Sequence, residues 1–195
     1  MLTILGIFFI HLILTKHYFT MKYLIAIIFC FFGSFLYGQK HSVSTNGVSW
    51  GSLSLNAEYS ARIGGKQSVH VPLSWNPWTF GGNKKMKHFS VSPQWRYWTR
   101  ESYLGHFLGG NLIGSRYNVG LNEYRFEGWA YGAGVSWGYA WLLNKRLNLE
   151  VQAGFGVVRS HYTRFDCGTC GDILSKESKW FMVPNRLAVS LVYVL

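Results

Sequence analysis

Two sets of residues in this sequence have types and spacing suited to chemistry. The first is Glu58, Arg62, Arg96, Glu150 and Arg186, charges that fall on the small, polar side of alternating segments. Carboxylates and guanidiniums confined to one enclosed space do one of two things. They carry protons or ions, or they neutralise each other as a structural polar plug. An unpaired charge out of water is costly, which favours the plug and predicts that Glu58 and Glu150 each lie within salt-bridge distance of an arginine. The second set is Cys167-Gly-Thr-Cys170. In a secreted chain such a pair favours a disulfide that pins a loop tip. His161 and Asp166 are close by, but a structural zinc site needs four ligands. A thioredoxin-like role needs a helix N-terminus that the pattern does not provide. No metal and no cofactor is expected.

Hydroxyl and imidazole groups come close in four places, and nucleophilic catalysis needs both on one face within hydrogen-bond reach. Ser160-His161 and His41-Ser42 are adjacent, so a strand sends them to opposite faces. His88 with Ser90, and His70 with Ser68, share a face, but it is the interior one. No Ser/His/Asp order, phosphate-binding glycine loop or carboxylate dyad stands out. The expectation is a protein that is not an enzyme; the alternatives are a lipid A-modifying outer-membrane enzyme or a narrow pore.

The stretch from Trp129 to Trp141 defines the elements that must hold these groups. Trp129, Tyr131, Val135, Trp137, Tyr139 and Trp141 alternate with Ala130, Gly132, Gly134, Ser136, Gly138 and Ala140. A period of two is that of a β-strand. One face is large and aromatic and the other nearly bare. A Gly/Ser/Ala exterior makes a poor soluble surface, whereas aromatics toward lipid and small residues toward a narrow lumen follow the dyad pattern of a membrane barrel.

Eight such segments can be counted from Gln39. They are 42–50, 52–63, 67–76, 88–98, 104–118, 129–141, 147–157 and 180–195, with loops at 77–87, 120–127 and 162–179. Short turns follow the second, fourth and sixth, and longer loops the third, fifth and seventh, as in outer-membrane barrels. The fold class is all-β: an eight-stranded antiparallel up-and-down transmembrane β-barrel. Pro93 and Pro184 fall within strands four and eight, where a missing N–H predicts bulges or strand ends. A bulge is also expected among Gly105, Gly109 and Gly110.

The totals agree. The chain has 195 residues, 18% of them aromatic and only 14% charged, too few to cover an ordinary water-soluble surface. No apolar run after residue 38 reaches the ~20 residues of a spanning helix. Met21-Lys22, an apolar core from Tyr23 to Leu36 and the small Gly38 read as a signal peptide over 21–38, and 1–20 as an upstream extension from an early start. The barrel then occupies 39–195. Net charge is +11, and loss of Lys16 and Lys22 with residues 1–38 leaves +9. Such a balance suits membrane lipid and lipopolysaccharide through the loops around Lys84, Lys85 and Lys87. It does not indicate nucleic acid, because no binding motif is present.

Several motifs follow one another in a familiar order. They are Asn56-Ala-Glu58, Trp75-Asn-Pro-Trp78, Pro93-Gln-Trp-Arg-Tyr-Trp98, Gly105-His-Phe107, Arg116-Tyr-Asn118, Gly128 to Tyr139, Asn148-Leu-Glu150 and the Cys167/Cys170 pair. Over nearly all of 44–195 the chain resembles a family of Bacteroidetes outer-membrane barrels, OmpA-like in architecture, catalogued as a domain of unknown function. The resemblance implies an outer-membrane location. Some members sit beside genes for fimbria-like surface structures, which implies a surface-structure protein partner and a role in assembly or adhesion. It supplies no catalytic residues.

Overall fold

The structure is a computed structural model, which describes residues 41–79, 84–120, 124–166 and 173–195. The expected signal peptide, the extension before it and the Cys167/Cys170 pair lie outside the described residues. Among the described residues, nine antiparallel strands form one sheet: β1 (His41–Asn46), β2 (Leu55–Gly64), β3 (Gln67–Asn76), β4 (Lys85–Val91), β5 (Gln94–Trp98), β6 (Gly105–Gly120), β7 (Arg125–Asn144), β8 (Leu147–Phe165) and β9 (Ile173–Val194). A five-residue helix, α1 (Gly47–Gly51), follows β1 and is capped by Asn46, whose side chain accepts from the Val48 N–H.

The sheet closes in a ring. β1 pairs with both β2 and β9, and neighbouring strands join β9 to β6 through β8 and β7. Both β4 and β5 lie between β3 and β6. They are two halves of the single fourth strand read from the sequence, interrupted at Ser92-Pro93. Proline has no N–H to give to the ladder, and the break satisfies the backbone another way: the Pro93 carbonyl accepts from Leu112 N–H at 3.0 Å. Nine strands therefore fill eight places.

Several boundaries differ from the sequence reading. The first strand stops at Asn46 because the chain turns into α1. The loop expected over 162–179 is mostly hairpin: β8 continues to Phe165 and β9 begins at Ile173. No bulge occurs among Gly105, Gly109 and Gly110, where β6 runs in unbroken register against β7. An irregularity sits instead opposite Gly154 and Phe155, where Arg186 and Pro184 pair and Asn185 is the extra residue. A bulge of this kind re-aims a side chain. Asn185 reaches inward to donate to Asn111 Oδ1 at 3.0 Å. Gly134, Gly154 and Gly156 leave it room, since a Cβ at any of them would meet the Asn185 amide.

Side chains alternate across the ring wall as the period of two requires. On β7, Val135 is 69% exposed and Trp137 54%, while Ser136 and Gly138 are buried. Tyr59, Trp75, Leu112, Phe155 and Leu187, on β2, β3, β6, β8 and β9, face outward in the same way. A small apolar cluster of Trp98, Tyr103, Phe107 and Ala140 fills the interior beside the short turns. Tyr103 holds a left-handed backbone (φ 72°), rare for a bulky residue, and its carbonyl accepts from Asn148 Nδ2 at 2.7 Å.

Candidate functional site

Above that cluster the interior is polar, and its members come from strands that are not neighbours in the ring. Contacts between such strands can form only through the inside. Arg96 on β5 is fully buried. Its two terminal nitrogens reach opposite ways. Nη1 donates to both oxygens of Glu150 on β8, at 2.9 and 3.0 Å. Nη2 donates to Glu58 Oε1 on β2 at 3.0 Å and to Gln152 Oε1 at 3.1 Å. Its Nε donates to Gln94 Oε1 at 2.8 Å. The planar fork of arginine is what lets one residue hold two carboxylates at once.

The second oxygen of Glu58 pairs with Arg186 Nη2 on β9, and Arg186 Nε donates to Gln152 Oε1 at 3.0 Å. Two guanidiniums and two carboxylates thus balance. Ser136 Oγ accepts from Gln152 Nε2 at 2.7 Å and from Gln94 Nε2 at 2.5 Å, which ties in β7. Arg62 stands apart: half-buried at the turn after β2, it donates from Nε to Gly64 O at 3.0 Å.

One line of groups has the order of a hydrolase relay. Ser68 Oγ lies 2.8 Å from His70 Nε2, and His70 Nδ1 lies 2.7 Å from Glu58 Oε1. Three features limit what it can do. Ser68 is fully buried and its oxygen already accepts from the Trp98 indole at 2.7 Å. His70 is buried against Trp98 and Tyr103. Glu58 is committed to two arginines. A nucleophile must meet its substrate, and the Ser68 side chain is closed off from solvent. The pair was visible in the sequence as two inward residues; the carboxylate that completes the line comes from β2, at a separation no local spacing reveals.

A cavity of about 180 Å³ lies on the far side of the ion pairs. Glu58 and Arg186 form part of its wall, with Ser44, Ser74, Ser90 and Asn185 among the other polar groups. His88 and Ser90, the other same-face pair, do not hydrogen-bond to each other; His88 Nε2 instead lies 3.4 Å from Ser74 Oγ. Ser160 faces the interior, joined to Tyr117, while His161 stacks outside on Trp129 at 4.3 Å. Toward the longer loops, Lys179 pairs with Glu177 at 2.5 Å and holds its carboxyl below the ordinary range. Among the described residues, no group of three or more His, Cys, Asp or Glu is arranged to hold a metal ion.

A family model described as "Protein of unknown function (DUF3575)" matches residues 24–195. The chain belongs to the DUF3575 family. No curated protein and no solved structure matches it. The motif resemblance is upheld at that level, that of a domain of unknown function. The DUF3575 match spans every strand of the ring, so Glu58, Arg96, Glu150 and Arg186 all lie within the family domain.

Proposed function

We propose that this chain is a small outer-membrane β-barrel, OmpA-like in form and of Bacteroidetes type, whose lumen is sealed by the Glu58–Arg96–Glu150–Arg186 plug. Its work is structural or interactive at the cell surface and not catalytic; a surface-structure protein is the partner class that fits. The observation that carries the reading is the inverted wall. Aromatic and aliphatic side chains lie exposed on the outside, and the charges pair within. A ring of this kind in water would expose its apolar face. In lipid the paired strands of a closed ring satisfy one another's backbone groups, as a spanning structure requires.

The dimensions support it. Trp129 and Tyr131 mark one aromatic level on β7, and Tyr139 and Trp141 another. Ten residues separate their midpoints, about 34 Å along a strand at ~3.4 Å each, or roughly 26 Å across the membrane at a tilt of ~40°. An outward apolar band of about 25 Å between aromatic girdles is what an outer membrane requires. The sequence features of 21–38 fit export.

Fractionation tests the reading. The mature chain should appear in outer membranes, need detergent for extraction, and migrate faster on gels when unheated. Purified protein in planar bilayers should give no conductance steps. Recovery of folded protein from the soluble fraction would refute the location, and steady conductance would refute the plug.

A further inference from the structure

Above the apolar belt, the outward face changes character. Register sets Arg116 on β6 beside Trp129 on β7, and Trp129 beside His161 on β8. Lys87 lies one outward step higher on β4, Lys176 one step higher on β9, and Arg159 one step lower on β8. The next outward level down is Leu112, Ala133, Val157 and Met182, with no charge. Cations and aromatic rings therefore meet along one margin of the belt.

These cations lack acidic partners. Among the described residues, neither the Arg116 nor the Lys87 side chain has a hydrogen-bond or ion-pair partner. Arg159 donates to Ser178 Oγ at 3.1 Å and lies over the Trp180 ring. Glu127 is the outward carboxylate of this margin, and Asn118 Nδ2 donates to it at 3.4 Å. Arg116 stands between two clefts. One, of about 310 Å³, is lined by Trp75, Lys87, Phe89 and Glu127; the other, of about 500 Å³, by Glu127, Trp129 and Phe165. An exposed guanidinium with five donors, between clefts and directly above an apolar wall, suits a ligand that is anionic at one end and acyl at the other.

We propose that this margin docks the phosphorylated headgroup of an outer-leaflet glycolipid. Arg116 is the central phosphate contact, with Lys87 and Arg159 flanking it. The acyl chains lie down the wall of Leu112, Val157 and Met182. The proposal rests on the membrane reading above and goes further by assigning the contact to strand residues of one face, not to loops.

The test uses the full mature chain in detergent, by native mass spectrometry, with two probes: bisphosphorylated lipid A and the same lipid stripped of phosphate. The wild type should retain the phosphorylated form at least tenfold better. Arg116→Gln with Arg159→Gln should lose that preference, each arginine contributing roughly tenfold, the scale of a charge-assisted hydrogen bond. Glu127→Gln should raise retention. Unheated gel mobility of the variants shows whether the ring is intact. Equal retention of the two lipids, unchanged retention in an intact double variant, or displacement by millimolar inorganic phosphate would each overturn the proposal. A chain found in the outer membrane that retains neither lipid removes this inference alone; a chain found soluble removes the membrane reading first.

Discussion

Replacing Arg96 by methionine removes the one group among the described residues that touches both Glu58 and Glu150. Methionine fills much of the volume of the arginine stem, so packing changes little and charge changes fully. Glu58 keeps Arg186 and His70. Glu150 keeps no cation, because Arg96 is its only ion-pair partner among the described residues. It is 3% exposed and cannot turn to solvent. Breaking a buried pair by removing one partner costs about 3–5 kcal/mol, since an uncompensated charge stays behind. With a urea dependence of about 2 kcal/mol per molar, the unfolding midpoint should fall by about 2 M. Unfolding in detergent micelles, followed by tryptophan fluorescence, reads this directly. Arg96→Met combined with Glu150→Gln removes the stranded charge and should recover at least half of the loss. A midpoint for Arg96→Met within 0.5 M of the wild type, roughly 1 kcal/mol by the same slope, would refute the claim that these ion pairs hold the ring interior together. So would a double variant no better than the single.

Three further outcomes are expected. Val135→Arg, at the middle of the exposed belt, should cost about 2–4 kcal/mol in lipid, whereas Thr163→Arg at the margin should cost under about 1; equal effects in refolding titrations with vesicles would argue against a membrane. Gly138→Val should reduce the folded yield on heat-modifiability gels, by about 3 kcal/mol or more, because a Cβ there meets the Phe107 ring and the Val151 carbonyl. Asn185→Ala should cost about 1 kcal/mol in the same urea assay, because Asn111 Oδ1 loses its donor.

Much of the wall was legible in the sequence because a strand's period of two is local. The alternation of Trp129 to Trp141 needs no knowledge of the neighbours to separate outside from inside. Proline was legible too: Pro93 and Pro184 mark the split fourth strand and the Asn185 irregularity. What stayed hidden depends on distance in sequence. That Arg96 bridges Glu58 and Glu150 follows from ring closure, with separations of 38 and 54 residues. The Ser68–His70–Glu58 line needs a β2 residue beside β3. Hairpin length was misjudged for a related reason. Tyr162 to Phe165 and Ile173 to Lys179 mix polar and apolar residues without a regular alternation and look like loop, yet they pair strand to strand beyond the apolar belt.

The meeting of first and last strands is far shorter than its neighbours. β1 faces β9 only from Ser42 to Asn46, whereas β8 runs along β9 from Leu147 to Phe165. Among the described residues, no strand covers the other edge of β9 from Ile173 to Val189. The molecule thus has a weak seam. Local opening begins where few backbone bonds must break, so the amides of β1 should exchange with solvent first while β7 and β8 stay protected. Closing the ring comes down to five residue pairs between β1 and β9.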